Sequence, residues 1–243
     1  MIRFFVDPSD LVKDTFPLTG ENAAHAKVLR LKVSEEIIAC DGIGNAKRCQ
    51  LIQADGNGFL LRPVEDVSNS SEPRVKASIY MAFPKADKLE HVIQKATELG
   101  AFEIVAFPSA RCISKPDDKS LKKKHERWQK IAASAAEQSG RDRIPQVIIL
   151  PSFQQALKRG MEADKAILFY ENEQAVTLRM ELERGSFSSV SLLTGPEGGL
   201  EESEVQQARE AGFSVCTLGS RILRCETAPL CALSAVMYAT GEF

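Results

Sequence analysis

The chain has 243 residues, 44% of them hydrophobic and 26% charged, an ordinary globular composition able to bury a substantial core. No apolar run reaches the roughly 20 residues of a membrane-spanning helix. The opening MIRFFVDPSD is too short and too acidic for a signal peptide, so the expected location is the cytoplasm. The formal net charge of −2 argues against a uniformly basic nucleic-acid binder.

The charge is unevenly spread. Residues 1–72 hold 8 Lys and Arg against 11 Asp and Glu, 73–145 hold 15 against 9, and 146–243 hold 8 against 13. A basic middle segment attracts phosphates even in an acidic chain, although a solvated helix face has the same composition. The six cysteines, at 40, 49, 112, 216, 225 and 231, form no CxxC pair. His25, His91 and His125 are far apart, so no metal site is expected. Most of the cysteines read as small core residues.

In chain order, the first 67 residues read as β-rich, with strands over 2–6, 36–40, 46–54 and 58–67 separated by the turns DGIGN and DGNG. One helix is predicted over 21–31, with Ala24, Val28 and Leu31 on one side. This pattern suggests a small barrel. SNSSEP, residues 68–73, reads as a linker, which sets the expected domains at 1–72 and 73–243.

After the linker, strands and helices alternate. Strands are expected over 75–83, 104–107, 147–150, 166–170, 190–193 and 214–218. Helices are expected over 88–99, 120–139, 153–158, 176–184, 201–211 and 230–238, with Gly100 and Gly212 as stops and Pro229 as a start. The alternation predicts an α/β domain with a largely parallel sheet.

Ligands of such sheets bind in loops beyond the carboxyl ends of the strands. Three of these loops stand out: 170–173, 194–199 (TGPEGG) and 218–228 (LGSRILRCETA). TGPEGG is neither a GxGxxG fingerprint nor a P-loop, and by itself it is equally a plain turn. In the third loop, apolar Ile222 and Leu223 lie between Arg221 and Arg224. Locally, Thr227 reads as a helix cap and Glu226 as a partner for Arg224. That reading leaves the length and polarity of the loop unexplained.

LLTGPEGGL followed by LGSRILRCETAPLCALSAV resembles the paired motifs of the SPOUT methyltransferases. RFFV at 3–6, HAKVLRLKVSE at 25–35, KADKLEHVIQKATELGAFEIVAFPSAR at 85–111 and HERWQKIAASAAEQSGRDRIP at 125–145 narrow the resemblance to the RsmE-type 16S rRNA (uracil-N3)-methyltransferases. The resemblance implies a PUA-like RNA-binding β-barrel followed by an α/β SPOUT methyltransferase domain with a trefoil knot. It also implies S-adenosyl-L-methionine as cofactor, 16S rRNA or the small ribosomal subunit as partner, and a homodimer. The sequence departs from the family pattern at Ser220, where a proline is expected, and at Cys225, where a threonine is usual.

On this resemblance the cofactor is held by Tyr170, by Leu193, Thr194, Gly195, Glu197, Gly198 and Gly199, and by Leu218, Gly219, Leu223, Cys225 and Thr227. Arg221 and Arg224 are candidates to stabilise charge on a uracil oxygen or to hold a phosphate. Glu197 and Glu226 are candidates to accept the N3 proton or to orient an arginine. Candidates to grip RNA are Arg3, Lys27 and Arg30, then Lys122, Lys123, Lys124 and Arg127, then Arg141 and Arg143. Two other readings fit the same motifs: a SPOUT methyltransferase acting on another RNA, and a non-catalytic RNA-binding assembly factor.

Overall fold

The structure, a computed structural model, describes residues 1–67, 71–113 and 118–243, without the side chain of residue 118. The first three residues of the expected linker lie outside the described residues. The chain forms two compact units, one of Met1–Glu72 with Ala136–Ile144, the other of Pro73–Ala135 with Pro145–Phe243.

The first unit contains β1 (Arg3–Phe5), β2 (Phe16–Leu18), α1 (Gly20–Val28), β3 (Glu36–Cys40), β4 (Ala46–Asp55) and β5 (Gly58–Asp66). They form a five-stranded, barrel-like sheet in the order β1-β3-β4-β5-β2. Only β1 and β3 pair in parallel. The period-2 alternation of a strand divides the side chains. Phe4, Ile37, Ala39, Cys49, Leu51 and Leu61 enter the main core, while Ile38, Cys40 and Ala46 form a second cluster with Phe5 and Val67. Strand β2 was not expected, because Pro17 removes a donor from the ladder. It is tolerated on a sheet edge, where Phe16 and Leu18 still point inward.

The expected helix face of Ala24, Val28 and Leu31 is not formed. The helix stops at Val28, Arg30 turns left-handed with φ 55°, and Ala26 is the buried helical residue. Val28 is 78% exposed.

Segment 136–144 is tied into this unit by buried polar contacts. Glu72 accepts from Arg141 Nη2 at 2.8 Å and from the backbone N–H groups of Asp142 and Arg143 at 3.1 Å each. Cys40 Sγ donates to Asp142 Oδ1 at 3.1 Å, and Arg3 pairs with Asp142 and donates to the Gly140 carbonyl. Two of the RNA-gripping candidates take part in these contacts. Arg141 is 2% exposed and Arg3 is paired with a buried aspartate, so both hold the unit together.

The second unit contains β6 (Lys76–Ala82), α2 (Lys88–Glu98), β7 (Glu103–Phe107), most of α3 (Asp118–Ser139), β8 (Gln146–Ile149), α4 (Phe153–Gly160) and β9 (Lys165–Phe169). It continues with α5 (Leu178–Leu182), β10 (Ser189–Thr194), α6 (Glu202–Ala211), β11 (Ser214–Cys216) and α7 (Thr227–Ala239). Its six strands run in the order β11-β9-β10-β6-β7-β8, all parallel. Every residue of β7 and β9 is buried, as a parallel sheet covered on both faces requires. Helix α2 turns Leu89, Val92, Ile93 and Ala96 to the core and stops at Gly100, which takes φ +94° where a side chain would strike Pro73. Helix α7 packs against α2, β6 and β10.

Most expected boundaries shift by one to three residues, and two of the shifts have a visible cause. The helix expected over 176–184 is the five-residue α5, because Val176 and Thr177 are paired with Thr217: Thr217 donates to the Val176 carbonyl at 2.8 Å, and Leu178 donates to the Thr217 carbonyl at 3.2 Å. The last helix begins at Thr227, and Pro229 sits in its first turn, where a missing N–H costs nothing.

Candidate active site

Strands β11, β9 and β10 are neighbours, so the loops after them meet at one end of the sheet. They enclose a cleft of about 980 Å³, within the range of nucleoside-sized ligand sites.

Each loop is held by its own bonds. After β9, Tyr170 N–H donates to the Cys216 carbonyl at 3.1 Å. Glu173 then gathers the turn. One oxygen accepts from the N–H groups of Gln174, Ala175 and Val176, and the other pairs with Arg209 at 2.8 Å. Arg209 and these backbone donors hold the Glu173 carboxyl down at about 2.

After β10, Gly199 N–H closes a turn on the Pro196 carbonyl at 3.0 Å. Gly199 has φ +69°, and a side chain there would run into the Glu171 carboxylate. After β11, Thr217 Oγ1 accepts from Gly219 N–H at 3.1 Å, and Arg224 carbonyl accepts from Thr227 and Ala228 at 2.9 and 3.0 Å.

The cleft is lined by Tyr170, by Thr194, Gly195, Glu197, Gly198 and Gly199, and by Leu218, Gly219, Leu223 and Cys225. Arg221 and Arg224 also line it, both exposed, and among the described residues no carboxylate pairs with either. Three candidates fall outside the lining. Leu193 is fully buried within β10, Thr227 is exposed on α7, and Glu226 lies beside the cleft. Thr227 does not cap α7. The N-cap position belongs to Glu226, which makes no side-chain cap bond.

Glu226 does not pair with Arg224 either. Both Glu226 and Glu197 pair with Lys88, at 3.1 and 3.2 Å, a residue not singled out in the sequence. Glu197 also accepts from Lys85 N–H at 2.9 Å, and Cys225 Sγ donates to Glu226 at 3.2 Å. Although partial burial opposes it, these donors hold the Glu197 carboxyl below its ordinary value. Its own backbone N–H, with help from Cys225 and Lys88, does the same for Glu226. The two carboxylates push the Lys88 ammonium up to about 12. Burial first, then Glu226, push the Cys225 thiol up to about 12. Both carboxylates are therefore ionised, and the bonds that favour the charged form lower their basicity.

A second contact went unread in the sequence. Arg111, in the loop after β7, donates to the Gly198 carbonyl at 3.1 Å. The signal for both residues was position alone, since each follows the carboxyl end of a parallel strand.

Among the RNA-gripping candidates, Lys27 and Arg30 are exposed at the end of α1, and Lys122 and Lys123 are exposed on α3. Lys124 is half-buried, Arg127 pairs with Glu90 at 2.6 Å, and Arg143 donates to the Ile43 carbonyl at 2.8 Å. Among the described residues no cluster of His, Cys, Asp and Glu could hold a metal ion, and no helix is long and apolar enough to cross a membrane.

An RNA methyltransferase domain model matches residues 71–237, and an RNA methyltransferase PUA domain model matches 18–64. The ribosomal RNA small subunit methyltransferase E of Bacillus subtilis is 42% identical over 93% of this chain and 91% of its own length. The chain belongs to the ribosomal RNA small subunit methyltransferase E family. The Synechocystis member is 33% identical over 96% of this chain and 76% of its own length. The family member from Neisseria gonorrhoeae, solved bound to S-adenosyl methionine, superposes with a TM-score of 0.85 at 33% identity, covering 98% of this chain and 97% of that one.

Proposed function

We propose that this chain transfers a methyl group from S-adenosylmethionine to N3 of a uridine in small-subunit ribosomal RNA, working as a cytoplasmic homodimer. The observation that carries this reading is the three-loop cleft, which has at its rim two arginines, Arg221 and Arg224, that are unpaired among the described residues.

The residues present suit the cofactor. It carries no phosphate, and the cleft presents glycine-rich backbone and carboxylates, Glu171 and Glu173, instead of a phosphate cradle. Backbone groups of Thr194, Gly195, Leu218, Gly219, Leu223 and Cys225, with Tyr170, would hold it. When bound, the cofactor supplies an electrophilic methyl group on a sulfonium.

The uracil N3 is weakly acidic and becomes a nucleophile as its proton leaves. Arg221 and Arg224, both exposed, are placed to stabilise negative charge on the base oxygens. Glu197 and Glu226, bound to Lys88, keep the loops in place, so the proton leaves to solvent. Because N3 takes part in base pairing, the target must be unpaired or turned out of its helix. Lys122, Lys123, Lys124 and Arg127 on α3, with Lys27, Arg30 and Arg143, supply charge for the RNA backbone.

Support for the dimer comes from α7. No Asp, Glu, Lys or Arg lies between Glu226 and Glu242, and Cys231 and Tyr238 stand exposed on its outer face.

The test is methylation with labelled cofactor of naked rRNA and of isolated small subunits, followed by mapping. The expected product is 3-methyluridine at one position of small-subunit rRNA. Label confined to tRNA or large-subunit rRNA would move the reading to another RNA, and no label from protein that binds the cofactor would end it.

A further inference from the structure

Lys88 opens α2, just beyond the carboxyl end of β6, the strand next to β10. Its ammonium lies 3.2 Å from Glu197 Oε1 and 3.1 Å from Glu226 Oε2. Glu197 belongs to the loop after β10, and Glu226 ends the loop after β11. One cation thus bridges two like charges that belong to two walls of the same cleft. The Cys225 thiol completes the cluster, 3.2 Å from Glu226 and 3.7 Å from the ammonium.

The three charged side chains are 28%, 24% and 27% exposed, too sheltered for solvent to cancel their attraction as it does for a surface pair. Helix α2 has an apolar anchor separate from the ammonium, the buried Leu89, Val92, Ile93 and Ala96. Lys88 is not among the residues lining the cleft, whereas its partner Glu197 is, so its reach into the site runs through the two carboxylates.

We propose that Lys88 is a positioning residue of the methyl-transfer site, setting the separation of the two cofactor loops by bridging Glu197 and Glu226. Without the cation the two carboxylates repel and the walls part. The proposal rests on the reading of this cleft as the cofactor site. The requirement is for a cation at this position, so arginine replaces lysine and a neutral side chain does not.

Two readouts test it, one of them independent of the cofactor. Calorimetry with S-adenosylmethionine compares wild type, Lys88→Met, Lys88→Gln and Lys88→Arg. In a Cys231→Ser background, which removes the exposed thiol, maleimide labelling of Cys225 is followed without cofactor by peptide mass. We expect the neutral variants to weaken cofactor binding about tenfold and to speed labelling of Cys225 by a similar factor, with Lys88→Arg within about threefold of wild type in both. Both neutral variants binding and labelling like wild type would overturn the proposal, as would an arginine variant no better than methionine. If wild type itself fails to bind the cofactor, the functional reading falls and the labelling result alone decides whether Lys88 is a bridge.

Discussion

Glu226 turns its carboxylate to Lys88, 3.1 Å away, and leaves Arg224, two residues earlier, without an ion-pair partner among the described residues, at the rim of the cleft. An exposed guanidinium with no ion pair contributes little to folding, so its chemistry is open to a substrate. Arg224→Ala is expected to lower turnover by about 100-fold or more. Stability should change by no more than about 0.5 kcal/mol. Single-turnover methylation and a thermal melt on the same preparation check both halves, and near-normal turnover would remove Arg224 from the site.

The Glu173 carboxyl sits at about 2 in the folded protein against an ordinary value of 4.5, because Arg209 and the backbone N–H groups of Ala175 and Val176 favour its charged form. A depressed carboxylate stabilises the fold above its unfolded value, and that contribution fades as pH falls from there through the folded value. Glu173→Gln is therefore expected to melt below wild type at neutral pH. The gap should narrow as pH drops under about 4.5 and close near 2. Melting curves of the two proteins across that range are the measurement. A gap that widens in acid would contradict the assignment.

Arg141 and the lysines of α3 separate two roles that the sequence ran together. Arg141 is 2% exposed and pairs with Glu72 at 2.8 Å, so Arg141→Ala removes a charged donor while Glu72 keeps its two backbone donors, and is expected to cost about 2 kcal/mol. It should leave the salt dependence of RNA binding unchanged. Lys122→Ala with Lys123→Ala is expected to do the reverse, with normal melting and a salt slope shallower by about 1 for each RNA phosphate that a lysine no longer neutralises. Filter binding at several salt concentrations, paired with melts, distinguishes them.

What could be read in advance follows the range of the interaction. The parallel sheet was legible because β7 and β9 are buried on both faces and carry continuous apolar runs. The cleft loops were legible because their glycines and arginines are contiguous in sequence. Lys88, Glu197 and Glu226 come from three segments, and no local pattern joins them. Read locally, Glu226 belonged with Arg224, and the tertiary partner prevailed. Arg141 looked like the basic end of a helix because nothing nearby in sequence announces Glu72. Pro17 hid β2 for a different reason, since a lone edge strand tolerates what a central strand forbids.

Gly199 offers a direct test of how tightly the cleft loops are built. Its φ of +69° belongs to the left-handed region, and the space a side chain needs is taken by the Glu171 carboxylate. Gly199→Ala is expected to lose about 1 kcal/mol of stability from backbone strain and to push Glu171 aside. Cofactor affinity measured by calorimetry should fall with it. Adding Glu171→Ala should recover the steric part and not the strain. Full recovery of stability by the double variant would mean that the backbone conformation at 199 is unimportant.

The outer face of α7 makes the last prediction. Tyr238 is 78% exposed and Cys231 is exposed, on a helix with no Asp, Glu, Lys or Arg from Thr227 to Ala239. An apolar helix face left in water favours association, and a second copy of the same face satisfies it by symmetry. Tyr238→Glu places a charge where desolvation is required and is expected to weaken the dimer by about 2 kcal/mol or more. Because Tyr238 packs against little within its own chain, the monomer should melt nearly as before. Light scattering across a dilution series reads the change as a dissociation midpoint displaced to higher concentration. Wild-type protein that stays monomeric throughout the series would remove α7 as a dimer surface.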